Sequence, residues 1–166
     1  MVKKMDGVVC KMKKILFIFL TGAVLIHAQT YYAYFPYETD TVLTAWLIRK
    51  YKDPEAKFIP VKRGTSPAVS AECQINTSVS PYRRSARFTA FQTAVKKVGA
   101  TGECIRRLER ISRIVEMAPW RKQEFPEAST LQLKIHEALK DGHTAGSMEA
   151  AFPVIEKFCA SIKGEP

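Results

Sequence analysis

The sequence has few of the residues from which catalytic and metal centres are usually built. Its 166 residues include three histidines and four cysteines, with no CxxC motif or Cys/His cluster. Neither a zinc site nor a disulfide scaffold is therefore predicted. Nucleotide loops, nucleophile elbows, HExxH pairs and EF-hand loops are missing as well. Because nothing indicates a flavin, haem or paired-thiol electron donor, we expect no cofactor and no catalytic residue of a known class.

The sequence also lacks an apolar run long enough to span a bilayer, but its start has the pattern of a secretory signal peptide. Five lysines precede an apolar run of about a dozen residues, 15–26, and Ala28 is a small residue ahead of Gln29. A spanning helix needs roughly 20 apolar residues, so cleavage before Gln29 is favoured over a permanent anchor. We predict a signal peptide over residues 1–28, one domain over 29–166, and export to the periplasm or beyond.

Much of the positive charge belongs to this first segment. Removing its five lysines and one aspartate leaves 21 basic and 15 acidic side chains. That excess favours anionic surroundings such as phosphate head groups or oxyanions, although scattered solvated cations on helix faces give the same balance. The segment from Met12 is a complete signal start by itself, which favours translation from there and would leave Cys10 outside the protein. We expect membrane contact only in transit and no nucleic-acid partner.

The three later cysteines are widely spaced and odd in number. Cys104 and Cys159 occupy apolar positions of helical patterns, so we expect buried thiols for both. One disulfide with one remaining thiol is the alternative outside the cytoplasm.

The first part of the domain predicts a strand, a helix and a second strand. Residues 30–37 are aromatic and β-branched. Residues 41–51 repeat apolar side chains at helical spacing, with Asp40 or Thr41 as the cap. Residues 57–61 predict a strand that Pro60 confines to a sheet edge.

The rest of the chain is a long loop followed by helices. Residues 62–81 are rich in Gly, Ser, Thr and Pro, which indicates a flexible insertion or a site element. Pro153 predicts either a kink in the last helix or a helix that begins near it. We therefore predict a mainly α domain of four to five helices with one or two short strands. The helical stripes cover residues 88–98, 105–115, 131–139 and 148–162.

Two kinds of side chain are candidates for chemistry. His136, beside Glu137, and His143 have no second histidine at metal spacing, so we interpret both as solvated. Several carboxylates could meet in the fold, although single carboxylates predict no acid/base pair. These are Asp40, Glu116, Glu124 and Glu127.

The basic residues make the more specific pattern. If the long loop folds back, they could line one pocket for a tetrahedral oxyanion, with arginine forks and helix N–H groups as donors. They are Arg49, Lys50, Lys62, Arg63, Arg83, Arg84 and Arg87.

One stretch carries a resemblance to a known family. The run ETDTVLTAWLIRKYKDPEAKFIPV, residues 38–61, resembles the C-terminal domain of the ChrB family of chromate resistance proteins. Family members have an Asp, a Trp-Leu-Ile-Arg-Arg-Phe-like helix, Asp-Pro-Glu-Ala and a Phe-rich strand. Residues 87–99, 104–116 and 150–162 are similar to later helices of the family in the same order.

The chain departs from the family at its polar positions. Thr44 and Ala45 stand where relatives have Cys-Pro, PYRRSAR (residues 81–87) replaces a His-Arg-Gly, and Arg113 and Ile114 replace a His-Asp pair. Of that polar set Asp40 is kept. The resemblance therefore implies either loss of the relatives' ligand set, which is the simpler explanation, or its replacement by arginines.

These observations lead to one hypothesis and two alternatives. The hypothesis is an exported, non-catalytic chromate-resistance-like protein that binds or responds to chromate or another oxyanion. One alternative is an enzyme with a metal-assisted site near Asp40, the His136 and Glu137 pair and the long loop, for which the sequence names no metal. The other is a structural envelope protein that has lost the family's site. The oxyanion-binding residues of the hypothesis are Asp40, Arg49, Arg83, Arg84 and Arg87.

Overall fold

The computed structural model describes residues 28–65, 67–139 and 145–163. The predicted signal peptide, apart from Ala28, and His143 lie outside these ranges. The described chain is mainly helical with one small sheet, which confirms the predicted fold class. The helices are α1 (Thr39–Tyr51), α2 (Ala90–Val98), α3 (Glu103–Met117), α4 (Pro126–Ala138) and α5 (Phe152–Lys163). The strands are β1 (Thr30–Phe35), β2 (Lys57–Lys62) and β3 (Gln74–Ile75), and short 3-10 turns cover Ala71–Cys73, Pro119–Glu124 and Met148–Ala151.

The sheet is parallel, with β1 between the other two strands. The β1–α1–β2 unit follows from its sequence, because a helix must carry the chain back before a parallel strand can pair. β2 lies at the edge, as Pro60 predicted. β3 has two residues inside the segment that the sequence predicted as loop, too short to leave a periodic pattern.

The helix boundaries have clear local causes. Thr89 and Gln92 form a reciprocal capping box at the start of α2, and Gly99 ends that helix with φ 73°, a left-handed conformation that glycine adopts without strain. α5 begins at Phe152 with Pro153 in its first turn, which confirms the prediction of a helix that starts near this proline.

α1 is the central element of the core. Its residues from Thr39 to Ile48 are all buried, including Trp46 at 2% exposure, because the helix contacts all the other helices. The periodicity predicted one buried face; helices on several sides bury the remaining positions too. Thr44 and Ala45 are both fully buried, and the Thr44 hydroxyl donates to the Asp40 carbonyl at 2.8 Å.

A disulfide joins α3 to α5. Cys104 and Cys159 are bonded, with their Cα atoms 5.2 Å apart. The expectation of buried thiols was therefore wrong for this pair. Their apolar positions were read correctly, but helical spacing cannot show that two faces meet at the same level.

No helix of the described residues is long and apolar enough to cross a membrane.

Replacing both cysteines with alanine (C104A/C159A) should lower the free energy of unfolding by about 2–4 kcal/mol, because the bond restricts a long loop in the unfolded chain. The separation of the two cysteines is 55 residues. Urea unfolding of oxidised wild type and variant measures the difference. A reductant should remove most of the difference between wild type and variant; equal midpoints without reductant would contradict the bond's contribution.

Candidate functional site

A group of charged side chains meets where α1, α2 and α3 come together, and we name it the Arg84 cluster: Glu38, Asp40, Arg84 and Glu116. Three carboxylates converge on the Nη2 atom of Arg84. Glu116 Oε2 lies 2.6 Å from this nitrogen, Glu38 Oε2 3.1 Å and Asp40 Oδ2 3.7 Å. Glu38 and Asp40 flank the start of α1, Arg84 precedes α2, and Glu116 lies in the last turn of α3, so the cluster ties three helices together.

Asp40 is the buried centre of this cluster, with no exposed surface. Its Oδ2 accepts a hydrogen bond from the Ala90 backbone N–H at 2.7 Å, and its Oδ1 accepts one from Phe91 at 2.8 Å. Both donors are free N–H groups at the start of α2, where the helix dipole favours a negative charge. The prediction that Asp40 or Thr41 caps α1 was wrong: Glu38 is the N-cap residue of α1, and the Asp40 side chain binds α2 instead.

The two glutamates each have a second partner. Glu116 Oε1 accepts a hydrogen bond from the Asp40 backbone N–H at 3.3 Å. Glu38 Oε1 accepts one from Arg63 Nη2 at 2.9 Å. The carboxylates thus bridge the Arg84 guanidinium to other parts of the fold.

The long loop also contributes to the cluster through Asn76. Its Nδ2 donates to Glu38 Oε2 at 3.2 Å and to Thr41 Oγ1 at 3.1 Å, and its Oδ1 accepts from the Arg84 backbone N–H at 3.3 Å. Asn76 has φ 53°, a left-handed conformation that asparagine tolerates better than most residues. Of the two interpretations of this loop, the contacts favour a site element.

Burial dominates the ionisation of the cluster. It raises the pKa of Asp40 to about 6, against the lowering effect of the Phe91 and Ala90 N–H groups, with Glu116 raising it further and Arg84 lowering it. Burial acts to lower the pKa of Arg84, but the charges of Glu116, Asp40 and Glu38 outweigh it and raise the pKa above its ordinary value. Arg84 therefore stays charged, whereas the Asp40 carboxyl, with its pKa of about 6, titrates above the range of ordinary aspartates.

The other arginines of the oxyanion hypothesis have separate partners. Arg49 pairs with Glu149 at 3.1 Å and lies over the rings of Phe58 and Phe152, at 5.5 and 5.7 Å from their centres. Its guanidinium also donates to the Ala56 carbonyl.

Arg83 and Arg87 are exposed. Arg83 donates to the Ser78 carbonyl and lines a concavity of about 490 Å³. The Arg87 carbonyl accepts from Arg113 at 3.0 Å. Of the five predicted site residues, the described contacts bring Asp40 and Arg84 together.

Some of the acidic and histidine candidates lie at the Arg84 cluster, and others have partners elsewhere. Asp40 and Glu116 meet, whereas Glu124 pairs with Arg121 at 2.8 Å and Glu127 with Arg107 at 2.8 Å. His136 lies at the margin of the Arg84 cluster, with Nε2 3.5 Å from Thr39 Oγ1. Within the described ranges, no three His, Cys, Asp or Glu residues are placed to hold a metal ion together.

Sequence reasoning missed the parts that Glu38 and Asn76 play. Glu38 stands two residues before Asp40, and both flank a helix start, which is a weak signal that the two share a neighbourhood. Asn76 carried a somewhat stronger sequence signal, because asparagine in a Gly/Ser/Thr-rich loop is among the residues that adopt positive φ.

The fold and the cluster together define a mainly α domain whose helices are held at their polar centre by ion pairs. The chain belongs to the ChrB C-terminal domain family: the model of "ChrB, C-terminal domain" matches residues 36–162, from the end of β1 to the end of α5. Membership confirms the resemblance carried by residues 38–61 and identifies a chromate-resistance-related protein. No curated protein and no solved structure matches the chain.

Stability should depend on the ionisation of Asp40. Burial raises its pKa from 3.8 to about 6, so the folded state holds the proton more tightly than the unfolded state. The contribution is therefore fully present below the unfolded pKa and is lost as pH rises through about 6. The free energy of unfolding of wild type minus that of Asp40→Asn, measured with urea, should fall by up to about 3 kcal/mol between pH 4 and pH 7. A difference that grows with pH would contradict this direction.

Removing the positive charge of Arg84 should destabilise the fold at pH 7, because the carboxylates of Glu38, Asp40 and Glu116 would then lie close together without a cation between them. We expect Arg84→Met to cost about 2–3 kcal/mol, at or below the range for breaking a buried pair, since the Arg84 side chain is partly exposed. Arg63→Met is the matched control: its pair with Glu38 is more than half exposed on the arginine side and should contribute at most about 1 kcal/mol. Equal losses in the two variants would show that the cluster has no special role.

Proposed function

We propose that the protein is an exported, non-catalytic member of its family in which the polar site serves as a structural ion-pair cluster. The observation that carries this proposal is the position of the Asp40 carboxylate. It holds the two N–H groups at the start of α2 and lies beside a guanidinium already bound by Glu38 and Glu116.

Backbone N–H groups of a helix start beside an arginine have the chemistry of an oxyanion site. Here the protein's own carboxylate occupies that position. A chromate or sulfate ion at the same place would have to displace Asp40 and approach Glu38 and Glu116, which repel it. Binding at the Arg84 cluster is therefore unfavourable while Asp40 is ionised.

Two features support export. The first is the signal-like order of basic, apolar and small residues over 1–28. The second is the bond between Cys104 and Cys159, since structural disulfides form and persist in oxidising compartments such as the periplasm. Cell fractionation with N-terminal sequencing tests this part: we expect a periplasmic or secreted protein that begins at Gln29, and an unprocessed cytoplasmic protein would contradict it.

Oxyanion binding at a different place is the second candidate function. Arg83 and Arg87 are both exposed, four residues apart, and Arg83 lines a concavity that Ser80, Ser85 and Thr93 also border. Glu72 on the same wall weakens the attraction for an anion. Such a site would keep the family's connection to oxyanions without opening the Arg84 cluster.

Thermal unfolding in the presence of oxyanions separates these functions. Sulfate is a tetrahedral analogue that does not oxidise the protein, so it is measured beside chromate, with potassium chloride at matched ionic strength as the control. A structural cluster predicts no Tm rise beyond the chloride control, whereas a ligand at 100 times its Kd would add about 2.7 kcal/mol of stability.

The variants then locate any effect. A sulfate-dependent rise that Arg83→Ala/Arg87→Ala abolishes would support the second candidate. A rise that persists in this double variant but disappears in Arg84→Met would overturn the structural role of the cluster. A rise with Mn²⁺ or Zn²⁺ instead would favour the metal-assisted enzyme near Asp40 and His136.

A further inference from the structure

The turn between α3 and α4 exposes a tryptophan. Trp120 is 75% exposed, whereas Trp46, the other tryptophan of the chain, is 2% exposed. Tryptophan is usually highly buried, because its ring carries more apolar surface than any other side chain. Leu133, at 60% exposure, is a second exposed apolar side chain in this region, next to Gln132 of α4, whose Oε1 accepts a hydrogen bond from Lys122 of the turn at 2.7 Å.

The turn holds Trp120 on a rigid base. We name Pro119–Glu124 the Trp120 turn. Its backbone is closed by the Arg121 N–H, which donates to the Ala118 carbonyl at 2.9 Å. The Arg121 side chain donates two hydrogen bonds to Glu124 Oε2, from Nε at 2.9 Å and from Nη2 at 2.8 Å. Its guanidinium lies 5.2 Å from the centre of the Phe125 ring. Little conformational entropy would thus be lost when Trp120 inserts into a partner.

The Trp120 turn and the helix before it, α3, carry uncompensated positive charge. Lys122 bonds to a neutral amide, and Arg113 donates to a neutral carbonyl. Arg110 is exposed on the same helix. These three cations have no carboxylate partner among the described residues, and residues 29–166 keep 21 basic side chains against 15 acidic ones. The partner that this charge fits is anionic.

The extent of exposed apolar surface favours a lipid surface over a folded protein. A stable protein interface buries about 800 Å² on each partner around an apolar centre, but the turn presents one indole ring and one nearby leucine. A tryptophan beside lysine and arginine is the combination that anchors proteins at the head-group level of a bilayer, where the ring meets the acyl boundary and the cations meet phosphates.

We propose that the Trp120 turn binds the surface of an anionic lipid bilayer, with Trp120 inserted at the head-group level and Lys122, Arg110 and Arg113 facing lipid phosphates. The contact is peripheral and reversible, since one ring and a few cations provide modest affinity. It differs from the sequence-based expectation, which limited membrane contact to transit. It requires neither an open Arg84 cluster nor oxyanion binding.

Tryptophan fluorescence tests the proposal directly with the full chain. The emission of wild type minus that of Trp120→Ser reports Trp120 alone, whatever other segments of the chain do. With vesicles of equal parts phosphatidylglycerol and phosphatidylcholine, this difference spectrum should shift to the blue and become protected from acrylamide. Pure phosphatidylcholine vesicles should give no shift, high salt should reverse it, and Lys122→Gln should raise the lipid concentration at half-effect about fivefold.

A relocated tryptophan is the matched control. Thr101 is exposed and lies just before α3, at the opposite end of that helix from the turn, so the variant Thr101→Trp/Trp120→Ser places an exposed indole elsewhere and should show no blue shift with the same vesicles. Equal shifts for both positions would mean non-specific adsorption and overturn the proposal. So would an absent shift with anionic vesicles, which would leave Trp120 to a protein partner, or a blue shift that grows with protein concentration without lipid, which would indicate a second copy of the chain.

Discussion

The buried carboxylate of Asp40 is the constraint on which the rest of this structure depends. A carboxylate without exposed surface is costly unless its oxygens are satisfied, and here α2 supplies two N–H groups and Arg84 supplies a positive charge nearby. Those partners can be present only if α2 starts against the first turn of α1. Arg84 in turn pairs with Glu116 near the end of α3. The contacts of Asp40 and Arg84 therefore join three helices, and the apolar core packs around α1 next to them.

Much of the fold could be predicted because its signals are local. Gly99 ends α2, Pro153 begins α5, and Pro60 places β2 at an edge; each acts through its own backbone angles or its missing N–H group. The features that escaped prediction are contacts between distant segments. Nothing near Cys104 shows that Cys159 lies opposite it, nothing in residues 74–75 shows that they pair with β1, and the partners of Asp40 are found 50 residues further along the chain.

The candidate site shows the same division. Asp40 was chosen through the family resemblance and Arg84 through the basic pattern, and the two do meet. The prediction treated arginines gathered by a loop as open to a ligand and did not consider the acids near them. Glu38 and Glu116 contact the guanidinium in the folded chain, because a partly buried cation is stabilised by negative charge at close range. The stretch that names the family therefore describes the scaffold better than it describes any chemistry.

The central claim is that Asp40 closes the position at the start of α2 where an oxyanion would otherwise bind. The most direct measurement is a titration of ¹⁵N-labelled protein with chromate and with sulfate at pH 7, following the backbone amide signals of Ala90 and Phe91. The account predicts that both signals stay in place at every concentration, apart from changes that potassium chloride reproduces. A saturable shift of these two amides, absent with chloride, would show an oxyanion in the place of Asp40 and would contradict the account.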